Sequence, residues 1–158
     1  MRPFKKHFII DVSGSSDGHI NRHHRYYAKR ALKQIQVTVA DHPKACLDDW
    51  VRLYAILVKR HRLRGIKAFS RTAFSIQFEV PGLVIFRASR NRRTIGMHLW
   101  YLQSGIACSH LSAFDQEGYS LRAAYALHWS AIVQERAWRE TDAMVFPYLS
   151  ADGPQTKR

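Results

Sequence analysis

Nine histidines in a strongly basic chain are the residues with the most obvious chemistry. An imidazole exchanges protons near neutral pH, and two of them, with a lysine or arginine to hold the phosphate, suffice to cleave RNA at its 2′-hydroxyl. His23, His24, His61, His98 and His110, with Tyr26 or Tyr27, are the candidates for such a metal-independent ribonuclease. Nothing in their spacing shows that any two converge, and half-buried helix faces use histidine as well. The adjacent His23 and His24 are not at metal-ligand spacing for a helix. Asp11, Ser13 and Ser15 offer a carboxylate and two hydroxyls as hard oxygen ligands, although a strand followed by a Gly/Ser/Asp loop accounts for the same residues. Walker, GxSxG, HExxH and GxGxxG motifs are all missing. The sequence therefore reads as non-enzymatic, with no catalytic residue, metal or cofactor assigned.

The charge gives a firmer expectation. Lys and Arg outnumber Asp and Glu by 25 to 12, a net +13, enough to attract a polyanion by counterion release. Nucleic acid is the commonest such partner; an anionic membrane or an acidic protein satisfies the same electrostatics. Two patches concentrate the charge. Lys59, Arg60, Arg62, Arg64 and Lys67 run on toward Arg71 with no acidic residue between, and Arg87, Arg90, Arg92 and Arg93 crowd a second stretch. The run HINRHHRYYAKR mixes cations with aromatics, the composition of a surface that grips phosphates and stacks on bases, or of a solvated helix face beside core tyrosines. With 46% hydrophobic and 12% aromatic residues, the charge rides on a folded body. Cys46 and Cys108 lie too far apart for a zinc site or a disulfide framework. No apolar run could span a bilayer and the basic start meets Asp11 at once, so the expected location is cytoplasmic.

These residues need elements to position them. Residues 4 to 12 predict a first strand. A helix over 21 to 39 starts at the N-cap Asn21, and a stronger one runs over 42 to 63, with Asp48 and Asp49 at its positive end and cations at its negative end. Phe74, Ile76, Phe78 and Val80 alternate with polar residues, which predicts a strand within 69 to 86, joined through Pro81-Gly82 to a second. Ile95, Met97 and Leu99 alternate with Gly96 and His98 in a strand over 93 to 100. Leu102, Ile106, Ala113 and Phe114 suggest a helix, and Ser120 opens a last helix over 120 to 139, apolar enough to pack on a partner chain. The sum is one basic α+β domain over 1 to 149, a small antiparallel sheet with three or four helices, and a polar, disordered tail over 150 to 158.

Arginines, strand, helix, Gly turn and capped helix, in that order over residues 92 to 139, resemble the ribbon-helix-helix family of DNA-binding proteins. The resemblance implies that two chains pair this strand into a ribbon that enters the major groove. Arg92, Thr94 and His98 would then face the bases, while Tyr119, Ser120 and Arg122 would meet a phosphate at the second helix. The alternative is that 93 to 100 is simply the third strand of the preceding sheet. Likewise, Asp11, Ser13 and Ser15 resemble the metal-dependent adhesion sites of von Willebrand A domains, whose further ligands have no counterpart here. The expected function is a homodimeric, sequence-specific double-stranded DNA-binding protein, a transcriptional regulator or DNA-processing accessory factor. The alternatives are an RNA-binding protein, the histidine ribonuclease, or a basic adaptor or inhibitor on an acidic protein surface.

Overall fold

The computed structural model describes residues 7–11, 21–133 and 143–147, with side chains for 21–133. Its centre is a six-stranded sheet in the order β1-β6-β5-β4-β3-β2, formed by β1 (His7–Asp11), β2 (Gln36–Val39), β3 (Leu83–Arg90), β4 (Arg93–Gln103), β5 (Ile106–Phe114) and β6 (Ala143–Pro147). From β2 to β5 neighbouring strands are antiparallel; β6 joins β5 in parallel and β1 closes the far edge antiparallel to β6.

Helices cover both faces. On one lie α2 (Leu47–His61) and α3 (Arg71–Gln77), packed over Ile85, Met97, Leu99 and Ala113. On the other lie α1 (Arg22–Leu32) and α5 (Ala123–Val133), packed over Phe86, Ala88, Trp100 and Phe114. The short α4 (Gln116–Ser120) links β5 to α5. Each face is apolar because strand side chains alternate, and β4, covered on both sides, is buried without a break from Thr94 to Trp100.

Two-residue turns set the hairpins. Asn91 and Arg92 (φ 50° and 63°) join β3 to β4, and Ser104 and Gly105 (φ 50° and 73°) join β4 to β5; consecutive left-handed residues match the twist of the paired strands. The helix expected from Leu102 to Phe114 is therefore a turn and a strand. The expected strand around Phe74 is instead α3, capped by the Ser70 side chain on the amide of Ala73. A period of two contains a period of four: Phe74 and Phe78 point into the core one helical turn apart, while Ile76 and Val80 stand 66% and 45% exposed. The first expected helix stops at Leu32, and Gln36–Val39 becomes the edge strand β2.

Strand β4 also excludes the ribbon. Both of its edges are used within the chain, by β3 from Leu83 to Arg90 and by β5 from Ile106 to Phe114, so it has no backbone groups left to pair with a second copy. A bulge finishes the argument. The pairing passes from Ala88–Gly96 to Ser89–Thr94, leaving Ile95 extra, so residues on either side of it change faces. Thr94 binds Asp49 of α2, whereas His98 contacts His128 of α5; they share no surface that could face bases. The apolar circumference of α5, read as a dimer face, is covered by α1 and the sheet.

Candidate active site

Strands β5 and β6 are hydrogen-bonded neighbours only where Ile106, Ala107 and Cys108 meet Ala143, Met144 and Val145. From there β5 continues to Phe114 while β6 continues to Pro147 in company with β1. Beyond Cys108 the edge of β5 has no ladder partner among the described residues, which leaves its amides and carbonyls available to an extended ligand lying along it. A second bulge sits in this stretch: pairing with β4 jumps from Leu99–Leu111 to Trp100–Ser109, leaving His110 extra. His110 consequently turns to the α3 face, 3.2 Å from the Gln77 side chain, while Ser109 faces α5. The bulge thus places His110 on the same face as Leu111, under α2 and α3, where strict alternation would have set the two on opposite faces.

At its far end β5 runs into a hinge of charged residues. The buried Asp115 caps α4 by accepting from the Gly118 amide at 2.9 Å, and its other oxygen receives Arg93 at 2.6 Å with Arg52 at 3.8 Å. Arg90 and Arg93 also reach Glu117, and Arg52 bonds Asp49 and the Thr94 carbonyl. Asp49 experiences burial, which raises its pKa, but the bonds from Thr94 and Arg52 outweigh it and hold the carboxyl below its ordinary value. Gly118 lies so close to β4 that a Cβ there would sit 2.2 Å from the Ile95 carbonyl oxygen, which fixes α4 on the sheet.

After α4 the chain turns through Arg122 (φ 57°) and starts α5 with Ala123 and Ala124. The opening amides of an eleven-residue helix have no acceptor within it, its first turn carries no acidic side chain, and the alanines leave that backbone approachable. Cations stand by it. Arg122 lies 3.7 Å above the Tyr27 ring, and Arg60, from the last turn of α2, lies 4.0 Å above Tyr119. These donors fit a phosphate-bearing group.

Beneath α5, at the level where β5 leaves β6, lie two imidazoles. His98 is 1% exposed, with Nε2 2.8 Å from the Ser109 hydroxyl and Nδ1 without a hydrogen-bond partner. His128 lies 4.6 Å away, centroid to centroid, and donates from Nδ1 to the Ala124 carbonyl at 2.7 Å. Burial, with His128 adding to it, holds the pKa of His98 well below the usual histidine range. Burial also lowers that of the half-buried His128, against the pull of its carbonyl bond and with help from His24.

The sequence matches the family model of the acetyltransferase (GNAT) domain over residues 18–145. The chain belongs to that family. The fold agrees: the structure is similar to that of FemX (TM-score 0.75, 10% identity, 96% of this chain and 55% of that one). It is also similar to a GCN5-related N-acetyltransferase from Kribbella flavida (TM-score 0.58, 12% identity, 92% and 31%). A third likeness is to an aminoglycoside acetyltransferase from an uncultured soil metagenomic sample, solved with trehalose (TM-score 0.55, 11% identity, 78% and 81%). The chain spans about half the length of FemX and under a third of the Kribbella protein. No curated protein sequence matches it.

Membership in a family of acetyltransferases overturns the expectations of a ribbon-helix-helix protein, a non-enzyme, a transcriptional regulator and a double-stranded DNA partner; the RNA-binding, ribonuclease and adaptor alternatives find no support either. The residues picked for DNA have other surroundings. Arg90 and Arg93 are ion-paired, Arg92 is an exposed turn residue, and Thr94 and His98 are buried. Half-buried Arg87 is an electrostatic neighbour of Cys46 and Asp49. Ser120 bonds the Gln116 carbonyl, and Tyr119 and Arg122 stand at the α4–α5 junction. Lys59, Arg60, Arg62, Arg64 and Lys67 are exposed around the end of α2, where Arg62 is the left-handed C-cap. Among the histidines taken for a ribonuclease, His98 and His110 face opposite sides of the sheet, His61 ends α2, and His23 and His24 lie on α1 against Tyr125. Ser13 and Ser15 and the tail fall outside the described residues, among which no His/Cys/Asp/Glu group could hold a metal. No helix of the described residues is long and apolar enough to cross a membrane. Sequence reasoning missed Ser109, Asp115 and His128. Asp115 had a signal, an N-cap residue three before Gly118 at a strand's end; the other two had none.

Proposed function

We propose that this chain carries an acyl-transfer centre that moves an acetyl group from a thioester donor, acetyl-coenzyme A, to an amine on a small molecule or peptide. The observation that carries the reading is the parting of β5 from β6 after Cys108, next to an α5 N-terminus with Arg122 and Arg60 beside it. An open strand edge suits an extended arm with amide groups, which pairs as another strand would. A helix start with two arginines suits the phosphates that such a donor carries. From Ser109 to Phe114 the free edge is about 17 Å long at about 3.3 Å per residue, room for an extended chain between phosphate and thioester. The excess of positive charge then draws in a polyanionic donor.

Calorimetric titration with coenzyme A and thiol release from acetyl-coenzyme A with a panel of amines (polyamines, aminoglycosides, short lysine peptides) test this. Micromolar binding and amine-dependent thiol release are expected, and Arg122→Ala should weaken coenzyme A about tenfold. Absence of both binding and thiol release rejects the reading.

A further inference from the structure

His98 is buried opposite Phe86 of β3 and against the Trp100 and His128 rings, yet it spends one nitrogen on Ser109 and leaves the other without a hydrogen-bond partner. A neutral imidazole has one N–H to place. At Nδ1 it would be a buried donor with no acceptor, which costs the desolvation of that N–H in full. At Nε2 it finds the Ser109 oxygen 2.8 Å away, and Nδ1 keeps only a bare lone pair. The second arrangement is favoured. It makes His98 the donor and Ser109 the acceptor, occupying one of the two lone pairs of the hydroxyl; its other lone pair and its own hydrogen stay available.

Ser109 is the first residue of β5 past its last pairing with β6, and it is half-buried, so it keeps access from the opening. Resting on the acyl-transfer reading above, we propose that Ser109 is a catalytic hydroxyl that relays the acceptor's proton to the departing sulfur, with His98 the positioning residue that prepares it. The amine nitrogen bonds to the thioester carbon and the carbon–sulfur bond breaks. The nitrogen's proton passes to the free lone pair of Ser109 while the serine's own hydrogen passes to sulfur, giving amide and thiol. Serine ends as it began. No charge is ever placed on His98, whose neighbours would not solvate one: β4 and β5 offer it Trp100 and Ser109, α5 offers His128, and among the described residues no carboxylate or cation is bonded to it. A mechanism with His98 as the base would require an imidazolium in that apolar setting, beside a second histidine that has His24 as its own neighbour.

Two measurements test the relay. Long-range ¹H–¹⁵N spectra of the imidazoles in the unliganded full chain should show His98 neutral and protonated on Nε2 from pH 5 to pH 8; a proton on Nδ1, or titration near pH 6.5, overturns the proposal whatever the chain catalyses. In the acetyl-coenzyme A assay with the best amine of the panel, Ser109→Ala should lower kcat about 100-fold with KM for the donor changed less than about twofold. Ser109→Thr, which restores a hydroxyl, and His98→Gln, which restores an N–H donor, should each recover most of the rate, whereas His98→Leu should not. An active wild type that Ser109→Ala leaves unchanged removes the relay and keeps the transferase. A wild type that neither binds coenzyme A nor releases thiol removes both.

Discussion

At the end of β5 six charged side chains, Asp49, Arg52, Arg90, Arg93, Asp115 and Glu117, satisfy one another, whereas behind its middle His98 keeps a nitrogen that nothing meets. Each holds a buried polar group, Asp115 in the first and His98 in the second, but Asp115 is satisfied by its partners and His98 only in part. Complete satisfaction is what a structural joint needs: Asp115 fixes α4, and with it the start of α5. A buried group left short of partners is uncommon in a native protein, and it stands where the sheet opens. Architecture and chemistry are thus separated along one strand, with the joint at Asp115 and the opening at Ser109.

The contrast is broken most severely by filling the space at the joint. Gly118→Ala should destabilise by about 3 kcal/mol, because the methyl would meet the Ile95 carbonyl, which the Asp115 amide holds in place at 3.0 Å. A much smaller change in urea midpoint would mean that α4 is not held as described. Asp115→Ala removes a cap and two arginine partners together, with an expected loss of about 3 kcal/mol and the same m-value.

At the opening the test is pH. The pKa of His98 in the folded state lies below the unfolded value of about 6.5, so the unfolded chain takes the proton first. Stability is complete above about pH 6.5 and falls as the pH drops below it toward the folded value. His98→Met should lessen the difference in melting temperature between pH 7.5 and pH 5; His128, shifted the same way, retains part of it. Equal slopes in both proteins would contradict the assignment. Asp49 also loses stability on acidification, lower down, as the pH falls through its depressed value. The smallest effect is at the turn: Arg92→Gly should stabilise by about 1 kcal/mol by relieving a left-handed side chain, read as a rise in melting temperature.

Much of the architecture was legible locally. Asn21 caps α1, and Asp48 and Asp49 begin α2 as Lys59, Arg60 and His61 end it, because capping and dipole effects act within a turn of chain. The alternation of Ile95, Met97 and Leu99 marked β4. Other patterns were ambiguous in themselves. Phe74 and Phe78 fit strand and helix alike, and the spacing of Leu102 and Ile106 spans a hairpin turn that Ser104-Gly105 announces only in retrospect. The arginines misled for a different reason: charge was read as a surface for a partner, while Arg90 and Arg93 are occupied by acids more than twenty residues away.

By itself the sequence determined a basic α+β body, its capped helices and a strand over 93 to 100, since these depend on neighbours in the chain. Tertiary structure decided what the strand is for. Pairing on both edges made β4 interior, one bulge sent Thr94 and His98 to opposite faces, a second put His110 on the face of Leu111, and the parting of β5 from β6 created an opening. Each of those is a relation between residues far apart in sequence, and backbone hydrogen bonds that leave no trace in residue type set it.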